Sequence, residues 1–429
     1  MFLSALPPDP GITTAMQRQA FAEQLQSELD LPPVESRSWT DLFQHLASNT
    51  AQGRWIILLD EVSWMATGAP DFLPKLKVAW DTHLRKNPRL ILILCGSVSS
   101  WLDANVLSST GFVGRVSLNL RLEELSVADC AKFWGSVGSR ASAFDILKTL
   151  AVTGGVPRYL EEIIPKRPVD ENVRRLCFTP EGLLFREYDQ IFAALFDRRA
   201  PTYRKLVAAL ADGHAALQKI VRRADMEKGG VVSSYLHDLA LAGFIHRDFT
   251  WDLHTRSTSK LSRYRLKDNY LRFYLTYILP NRRKIEGRRL SEAPLSSLPG
   301  WDMTMGLQFE NLVLQNRRYV WERCGLSSSQ IEQEGPFFQT ATKQRRGCQI
   351  DYLIQLRSGP LYVCEIKFSR ERITRRAEDE VAQKISRMRR PKHCSAIPVL
   401  IHAGEVCETV AHGEFFAHVV DFTEAITEG

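Results

Sequence analysis

Two runs of aliphatic residues dominate the hydropathy pattern of the first hundred positions. Residues 55–61 are WIILLDE and residues 90–97 are LILILCGS, and neither run alternates between apolar and polar positions. Continuous apolar runs of this length predict parallel β-strands that are buried on both faces. Each run ends in polar side chains, at the sheet edge where α/β proteins place their ligands.

The segment between these runs predicts a helix that connects two neighbouring strands. Phe72, Leu76, Val78 and Leu84 recur at helical spacing, and Pro88 ends the pattern. Strand, helix and strand then form a right-handed βαβ unit.

Three helical patterns and a hairpin pattern fill residues 203–268. The helical patterns lie in TYRKLVAALADG, HAALQKIVRRADM and VVSSYLHDLALAGF, and the strands begin near Phe244 and Leu261. This is the order of a winged helix, whose third helix can enter the major groove of DNA. The outward polar positions of that helix are Ser233, Ser234, His237 and Asp238.

The predicted hairpin of the winged helix is rich in basic residues. They are Arg247, Arg256, Lys260, Arg263, Arg265 and Lys267. Basic side chains suit DNA phosphates, whereas the third helix has no arginine at its outward positions to bind a guanine edge. We therefore expect the hairpin to contact DNA without sequence preference. The alternative is that this module only separates two other domains.

Residues 349–369, QIDYLIQLRSGPLYVCEIKFS, predict a second hairpin because R-S-G-P is a turn composition. With the turn centred on Ser358, Asp351 lies opposite Glu365, with Cα atoms ~5 Å apart. Lys367 follows on the same face as Glu365. Facing carboxylates repel unless a cation separates them, and Mg²⁺ prefers such oxygen ligands. The alternative is that both acids form surface salt bridges with Lys367 or nearby arginines.

Charge and composition narrow the class of protein. The net charge is +7, and residues 198–290 hold 20 lysines and arginines against 8 aspartates and glutamates. This excess favours a polyanion such as DNA as partner, although a basic face can simply be solvated. The eight cysteines form no C-x-x-C pair, so no zinc or redox motif is indicated. With no leader pattern and no apolar run of ~18 residues, we expect a cytoplasmic protein without a membrane partner.

The first third resembles an AAA+/STAND-type P-loop ATPase of the archaeal-type ATPase family, whose members carry a restriction-nuclease-like C-terminal domain. The segments that match in chain order are LLDE, LILILCGS, GFVGRVSLNLRLEELS with its Gly-Arg and short strand, and TGGVPRYLEE. The resemblance implies that Asp60 holds Mg²⁺, Glu61 orients the attacking water and Ser97 senses the terminal phosphate of ATP. It also implies an arginine finger at Arg115 and a nucleotide contact at Arg158.

The resemblance extends to the last third of the chain. Asp351, Glu365 and Lys367 resemble the PD-(D/E)XK nuclease core, in which the acids hold the metal and the lysine positions water. Residues 305–317 resemble the preceding helix of that core, which implies that Glu310 is an additional catalytic and metal-binding acid.

Two further features bear on the nuclease resemblance. Gln383 and Lys384, in the basic helix that follows the hairpin, are weaker site candidates, and position 350 holds isoleucine where the family has proline. A nuclease fold that keeps DNA binding after losing cleavage is an alternative.

The phosphate-binding loop of the ATPase family is missing from the sequence. The resemblance implies that the opening residues MFLSALPP form the strand that follows this loop in the family, so the chain begins at the family's second strand. The chain has no G-x-x-x-x-G-K-[ST] motif, and before Asp60 it has two glycines and no lysine. Because that loop surrounds the nucleotide phosphates with N–H groups and a lysine, we expect weak ATP binding and little hydrolysis. Either the reading frame starts too late, or the ATPase is degenerate and keeps its sheet as a scaffold.

The expected fold class is α/β, and the resemblance implies five segments. They are a parallel-sheet P-loop NTPase-like core without its first strand and phosphate loop (1–130), a helical lid (131–197), a winged helix (198–280), a linker (281–300) and an α/β restriction-nuclease-like domain (301–429).

Three functions are consistent with the sequence. The first is an ATPase-family protein that couples nucleotide state to DNA binding and to phosphodiester cleavage with Mg²⁺ or Mn²⁺, in defence or repair. The second is a DNA-binding scaffold without either activity. The third is a signalling ATPase that assembles with itself, with Arg115 acting across subunits.

Overall fold

The structure is a computed structural model that divides the chain into two compact units, residues 1–121 and residues 122–429. It describes residues 1–7, 9, 11–34, 37–97, 99–135, 141–196, 199–227, 229–290, 293–341 and 346–427. In these described ranges, no helix is both long and apolar enough to cross a membrane.

The first unit is built on three parallel strands in the order β1-β2-β3. They are β1 (Phe2–Ser4), β2 (Trp55–Asp60) and β3 (Leu90–Leu94). Its helices are α1 (Thr14–Leu29), α2 (Trp39–Asn49), α3 (Val62–Met65), α4 (Phe72–Thr82) and α5 (Ser99–Leu102), with 3₁₀ turns at Leu84–Lys86 and Thr110–Phe112 and a π-helical turn at Asp103–Leu107. The predicted strands and crossover helix are confirmed.

Aromatic residues form the core of this unit on one face of the sheet. Ser38 caps α2 by accepting a hydrogen bond from the Asp41 N–H, which fixes where the helix begins. The helix then buries Trp39 and Phe43, and the Trp39 ring meets Phe72 of α4 edge-on at 4.7 Å between centroids. Such aromatic contacts add to the free energy gained by burial.

The opposite face of the sheet differs from prediction. Ile56, Ile91 and Ile93 are 42–52% exposed, so β2 and β3 are covered on one face and not on both. Val78 of α4 is also exposed, unlike the other predicted core positions of that helix. Residues 116–121, where a short strand was expected, form no strand and expose Leu118 and Leu120.

The second unit begins with helices. They are α6 (Val127–Ala131), α7 (Ala143–Thr153), α8 (Pro157–Leu160), α9 (Val169–Cys177), α10 (Leu183–Phe196), α11 (Ala200–Ala208), α12 (Leu217–Arg223) and α13 (Gly230–Leu241). A 3₁₀ turn at Lys132–Trp134 follows α6. Helices α11 to α13 contain the three predicted helical patterns, and their apolar faces are buried in one continuous core.

An antiparallel hairpin follows α13. Its strands are β4 (Ile245–Trp251) and β5 (Thr258–Leu266), and the predicted pairing is confirmed by contacts such as Ile245 with Leu266. The chain continues through α14 (Asn269–Phe273), a π-helical turn (Tyr274–Ile278) and α15 (Leu279–Glu286). The aromatic residues of this stretch are buried core residues, as predicted. Residues 281–286 of the predicted linker are helical, and residues 291–292 lie outside the described residues.

The last part of the unit is a mixed five-stranded sheet in the order β10-β9-β8-β7-β6. Its strands are β6 (Ile331–Gln339), β7 (Cys348–Leu356), β8 (Leu361–Phe368), β9 (Ala396–Ala403) and β10 (His418–Asp421). Its helices are α16 (Trp301–Gln315), α17 (Arg317–Arg323), α18 (Arg376–Arg387) and α19 (Glu408–Ala411), with 3₁₀ turns at Leu295–Ser297, Ser328–Gln330 and Phe422–Ile426.

The two main helices of this part pack on opposite faces of the sheet. Phe309 of α16 lies in one core with Ile366 of β8, whereas Val381 of α18 lies in another core with Val363 of the same strand. Because side chains alternate along a strand, Glu365 shares the face of Val363 and points toward α18.

Candidate active site

The hairpin of β7 and β8 has the predicted register. Tyr352 pairs with Cys364 and Gln355 pairs with Leu361, so Asp351 comes opposite Glu365 one step beyond the last paired residues. The turn at R-S-G-P fixes this alignment, because a slip of one residue between the strands would place the two acids on opposite faces of the sheet.

Both acids contact the same cation, Lys384 of α18. Its Nζ lies 3.2 Å from Oδ1 of Asp351 and 2.5 Å from Oε2 of Glu365. The side chains of Asp351 and Glu365 are only 13% and 4% exposed, so they are not the surface residues of the salt-bridge alternative. The two carboxylates therefore converge on one point inside the protein.

Lys367 of β8 lies between Glu365 and a third acid, Glu380 of α18. Its Nζ lies 3.0 Å from Oε1 of Glu365 and 2.8 Å from Oε2 of Glu380, and Arg376 donates to the other oxygen of Glu380 at 3.1 Å. The acids Asp351, Glu365 and Glu380 are thus matched by three cations. We call this set, with Lys367, Lys384 and Arg376, the hairpin charge cluster.

Burial shapes the protonation of these groups. Burial and the adjacent charge of Glu365 raise the pKa of Asp351. Burial acts against the charge of Lys384, but Asp351 and Glu365 outweigh it and raise the Lys384 pKa well above its usual range. Lys384 is therefore a permanent cation at neutral pH.

Glu310 does not join the two hairpin acids in one ligand set. In the described part of the chain, no group of three or more histidines, cysteines, aspartates or glutamates is arranged to hold a metal ion. The helix that carries Glu310, α16, packs on the sheet face opposite α18. Burial and the charge of Asp351 nevertheless raise the pKa of Glu310, so it lies within electrostatic reach of the pair.

The donor chemistry of the pair fits a hard divalent cation. Mg²⁺ is commonly held by one or two carboxylates, with water and substrate phosphate as its other ligands. Asp351 and Glu365 supply two carboxylates that already converge on a cation.

The first unit places its predicted site residues at the carboxyl ends of β2 and β3. Glu61 has a left-handed backbone with φ of +52° and accepts hydrogen bonds from the Ser97 N–H at 3.3 Å and Oγ at 3.1 Å. Asp60 accepts from Ser4 Oγ at 3.4 Å. These acids and Ser97 therefore lie together at one edge of the sheet.

The two arginines implied by the ATPase resemblance are engaged in ion pairs. Arg115 donates from Nε and Nη2 to the two carboxylate oxygens of Asp81, both at 2.8 Å. Arg158, in the second unit, donates to Glu162 at 2.9 Å within α8 and its following turn. To act as an arginine finger, Arg115 must first leave Asp81.

The predicted DNA-binding residues of the β4–β5 hairpin have different environments. Arg247 and Lys260 are exposed, and the guanidinium of Arg247 stacks on the ring of Phe249 at 4.6 Å. Arg263 is half-buried and donates to Gln349 at 2.9 Å, and Lys267 is paired with Glu123.

Arg265 is not a surface residue, contrary to prediction. It is buried and donates to Asp248 at 2.9 Å and to Asn311 at 2.6 Å. The sequence places it among basic neighbours, but its position in β5 turns it toward α16. It cannot contact a phosphate on the surface of the folded protein.

Sequence reasoning missed Glu380 and undervalued Lys384. A signal was present: Arg376, Glu380 and Lys384 recur every fourth residue, which places all three on one face of a helix. What the spacing could not provide is the partner of that face, which depends on how α18 packs on the sheet.

Comparison with known proteins gives partial similarities. No family model matches the chain. It is 29% identical over 237 residues to the uncharacterized protein MJECL04 of Methanocaldococcus jannaschii, a match that covers 54% of this chain and 50% of that protein. The chain therefore spans about half the length of this curated relative.

Three solved structures have limited similarity to this chain. The Walker-type ATPase PABY2304 of Pyrococcus abyssi aligns with a TM-score of 0.46 at 17% identity, covering 64% of this chain and 83% of that one. Cdc6p of Pyrobaculum aerophilum has a TM-score of 0.29 at 13% identity (66% and 80% covered). The Aeropyrum pernix ORC1 protein, solved in complex with DNA, has 0.28 at 15% (68% and 80% covered). These partial similarities assign no role to any residue.

Proposed function

We propose that this protein binds DNA through its second unit and cleaves phosphodiester bonds there with Mg²⁺ or Mn²⁺. The observation that carries the proposal is the convergence of two facing carboxylates, the part-buried Asp351 and the buried Glu365, on one cation position. Burying a carboxylate costs free energy unless a cation pairs with it. This position is therefore suited to hold a cation that takes part in a reaction.

Three side chains of the hairpin charge cluster and one acid outside it have defined parts in this proposal. Asp351 and Glu365 hold the metal, which when bound neutralises phosphate charge and supplies an activated water. Lys367, 3.0 Å from Glu365, orients that water and stabilises the phosphate. Glu310 acts as an accessory acid through its charge on Asp351.

The proposed division of the chain follows its sequence segments. An ATPase-type core (1–130) and helical lid (131–197) precede a winged helix (198–280), a linker (281–300) and a nuclease-like domain (301–429). Asp60, Glu61 and Ser97 form the nucleotide-facing edge of the ATPase-type core. In this proposal, the nucleotide state of the ATPase-type core, if it binds ATP, regulates DNA binding or cleavage by the second unit.

Metal-dependent cutting of plasmid DNA tests the proposal. We expect the purified protein to nick or linearise supercoiled plasmid with Mg²⁺ or Mn²⁺ and to lose this activity when EDTA removes the metal. Agarose gels measure the conversion. Plasmid binding without cutting in either metal would favour a non-catalytic scaffold, the alternative supported by Lys384 already filling the cation position.

The exposed basic residues of the β4–β5 hairpin provide the proposed DNA contact. We expect Arg247→Ala and Lys260→Ala each to weaken binding of all duplex sequences alike and to reduce the salt slope of log Kd by about 1. Fluorescence anisotropy over a range of salt concentrations measures both effects. Lys132→Ala is the control, because it removes an exposed lysine from another part of the same unit. An unchanged salt slope in both hairpin variants would exclude this surface.

A further inference from the structure

Lys384 occupies the point on which the two hairpin acids converge. Its Nζ contacts one oxygen of Asp351 at 3.2 Å and one oxygen of Glu365 at 2.5 Å. A divalent cation held by this pair would use the same oxygens. Since a dication and an ammonium repel each other, they cannot share this position.

The remaining oxygens of both acids are also engaged. The second oxygen of Asp351 accepts the Ile366 N–H at 3.2 Å, and the second oxygen of Glu365 contacts Lys367 Nζ at 3.0 Å. The acid pair is therefore fully partnered without a metal. A metal that enters must replace the charge of Lys384, and the displaced ammonium then needs another anion.

The structure permits Lys384 to move while its helix stays in place. Ala377 and Val381 anchor α18 in the core, whereas the Lys384 side chain is 25% exposed. Lysine carries its charge on a flexible four-carbon chain, so the ammonium can turn outward without moving the helix. In a nuclease complex, a DNA phosphate would supply such an anion.

Building on the proposed nuclease function, we propose that Lys384 keeps the acid pair closed to divalent metal until a DNA phosphate takes over its ammonium. Metal and DNA then bind with positive coupling, and each raises the affinity for the other by the same factor. Without DNA the protein binds metal weakly, so the metal-bound site forms mainly in the complex with DNA.

Manganese binding to the whole protein tests this inference apart from activity. Free Mn²⁺ is measured by electron paramagnetic resonance, with and without a short phosphorothioate duplex that resists cleavage. For the wild type, we expect the duplex to raise Mn²⁺ affinity by about tenfold. For Lys384→Met, we expect an affinity about tenfold above the wild type without DNA, and little further gain on adding DNA.

Two further variants make the test specific. Arg375→Met removes an exposed cation at the start of the same helix, outside the hairpin charge cluster, so it should behave as wild type. Lys384→Gln keeps hydrogen-bond donors without the charge, and it should match Lys384→Met if the charge is what excludes metal. Circular dichroism verifies that each variant is folded.

The possible outcomes separate this inference from the proposed function. Equal or weaker Mn²⁺ binding by both folded Lys384 variants, in a protein whose wild type cuts DNA with Mg²⁺, would overturn the role of Lys384 and leave the nuclease in place. Absence of Mn²⁺ binding by the wild type and both variants, with and without DNA, would overturn the metal site and this inference together.

Discussion

Asp351→Asn and Glu365→Gln should each lower the rate of metal-dependent DNA cleavage by at least about a hundredfold. Substituting a residue that only supports a metal ligand costs up to about a hundredfold, and these two residues are the proposed ligands themselves. Each substitution keeps the size of the side chain and removes one of the two charges that converge at 3.2 and 2.5 Å on the cation position. One remaining carboxylate holds a divalent cation poorly, because Mg²⁺ gives up its waters reluctantly. Initial rates of plasmid nicking at several Mg²⁺ concentrations measure the loss.

Asp379→Asn is the matched control for these variants. It removes an acid from the exposed side of α18, outside the hairpin charge cluster, so we expect wild-type cleavage. The double variant Asp351→Asn/Glu365→Gln should be little worse than either single variant, since the two acids act as one unit. Wild-type rates in either single variant, with the metal dependence intact, would place the cutting site elsewhere.

The hairpin acids could be predicted from sequence because their geometry is local. A short turn sets the register, and the two-residue period of a strand sets the face, so Asp351 and Glu365 must face each other. The contact with Lys384 is not local. It depends on α18 docking through Ala377 and Val381, which a single sequence does not specify.

The first unit marks a different limit of sequence reasoning. The aliphatic run of β3 was predicted to be buried on both faces, but Ile91 and Ile93 are exposed on one of them. An apolar run has the same sequence whether one face or two faces are covered, because coverage depends on which other elements pack there. The alternating residues of 116–121 form no strand for a related reason: a strand requires a hydrogen-bonded neighbour as well as a pattern.

The basic residues of the β4–β5 hairpin could not be sorted by charge alone. Arg263 and Arg265 lie two residues apart on the same face of β5, yet the first is half-buried and the second is buried against α16. The two-residue period of a strand shows that Arg263 and Arg265 share a face. The position of α16 determines that the Arg265 end of this face is covered.

This difference leads to the largest stability effect that we expect, for Arg265→Met. Arg265 and Asp248 form a buried ion pair at 2.9 Å, and Asp248 also contacts Nδ1 of His246 at 2.7 Å. Although burial opposes ionisation, Arg265 and His246 hold the pKa of Asp248 at about 2. Without Arg265 a buried carboxylate loses its main partner, so we expect the free energy of unfolding to fall by about 3–5 kcal/mol.

Urea denaturation of the variants measures this loss. Lys260→Met, which removes an exposed cation from the same strand, should stay within about 0.5 kcal/mol of the wild type. Arg265→Met combined with Asp248→Asn should recover part of the stability, because it removes both buried charges instead of one.

DNA binding by the same variant is a second readout, which distinguishes a structural role of Arg265 from a role in DNA recognition. Folded Arg265→Met should bind DNA as the wild type does. Weaker DNA binding at unchanged stability would instead show that Arg265 contacts DNA, because only an exposed side chain can lose a phosphate contact without disturbing the core.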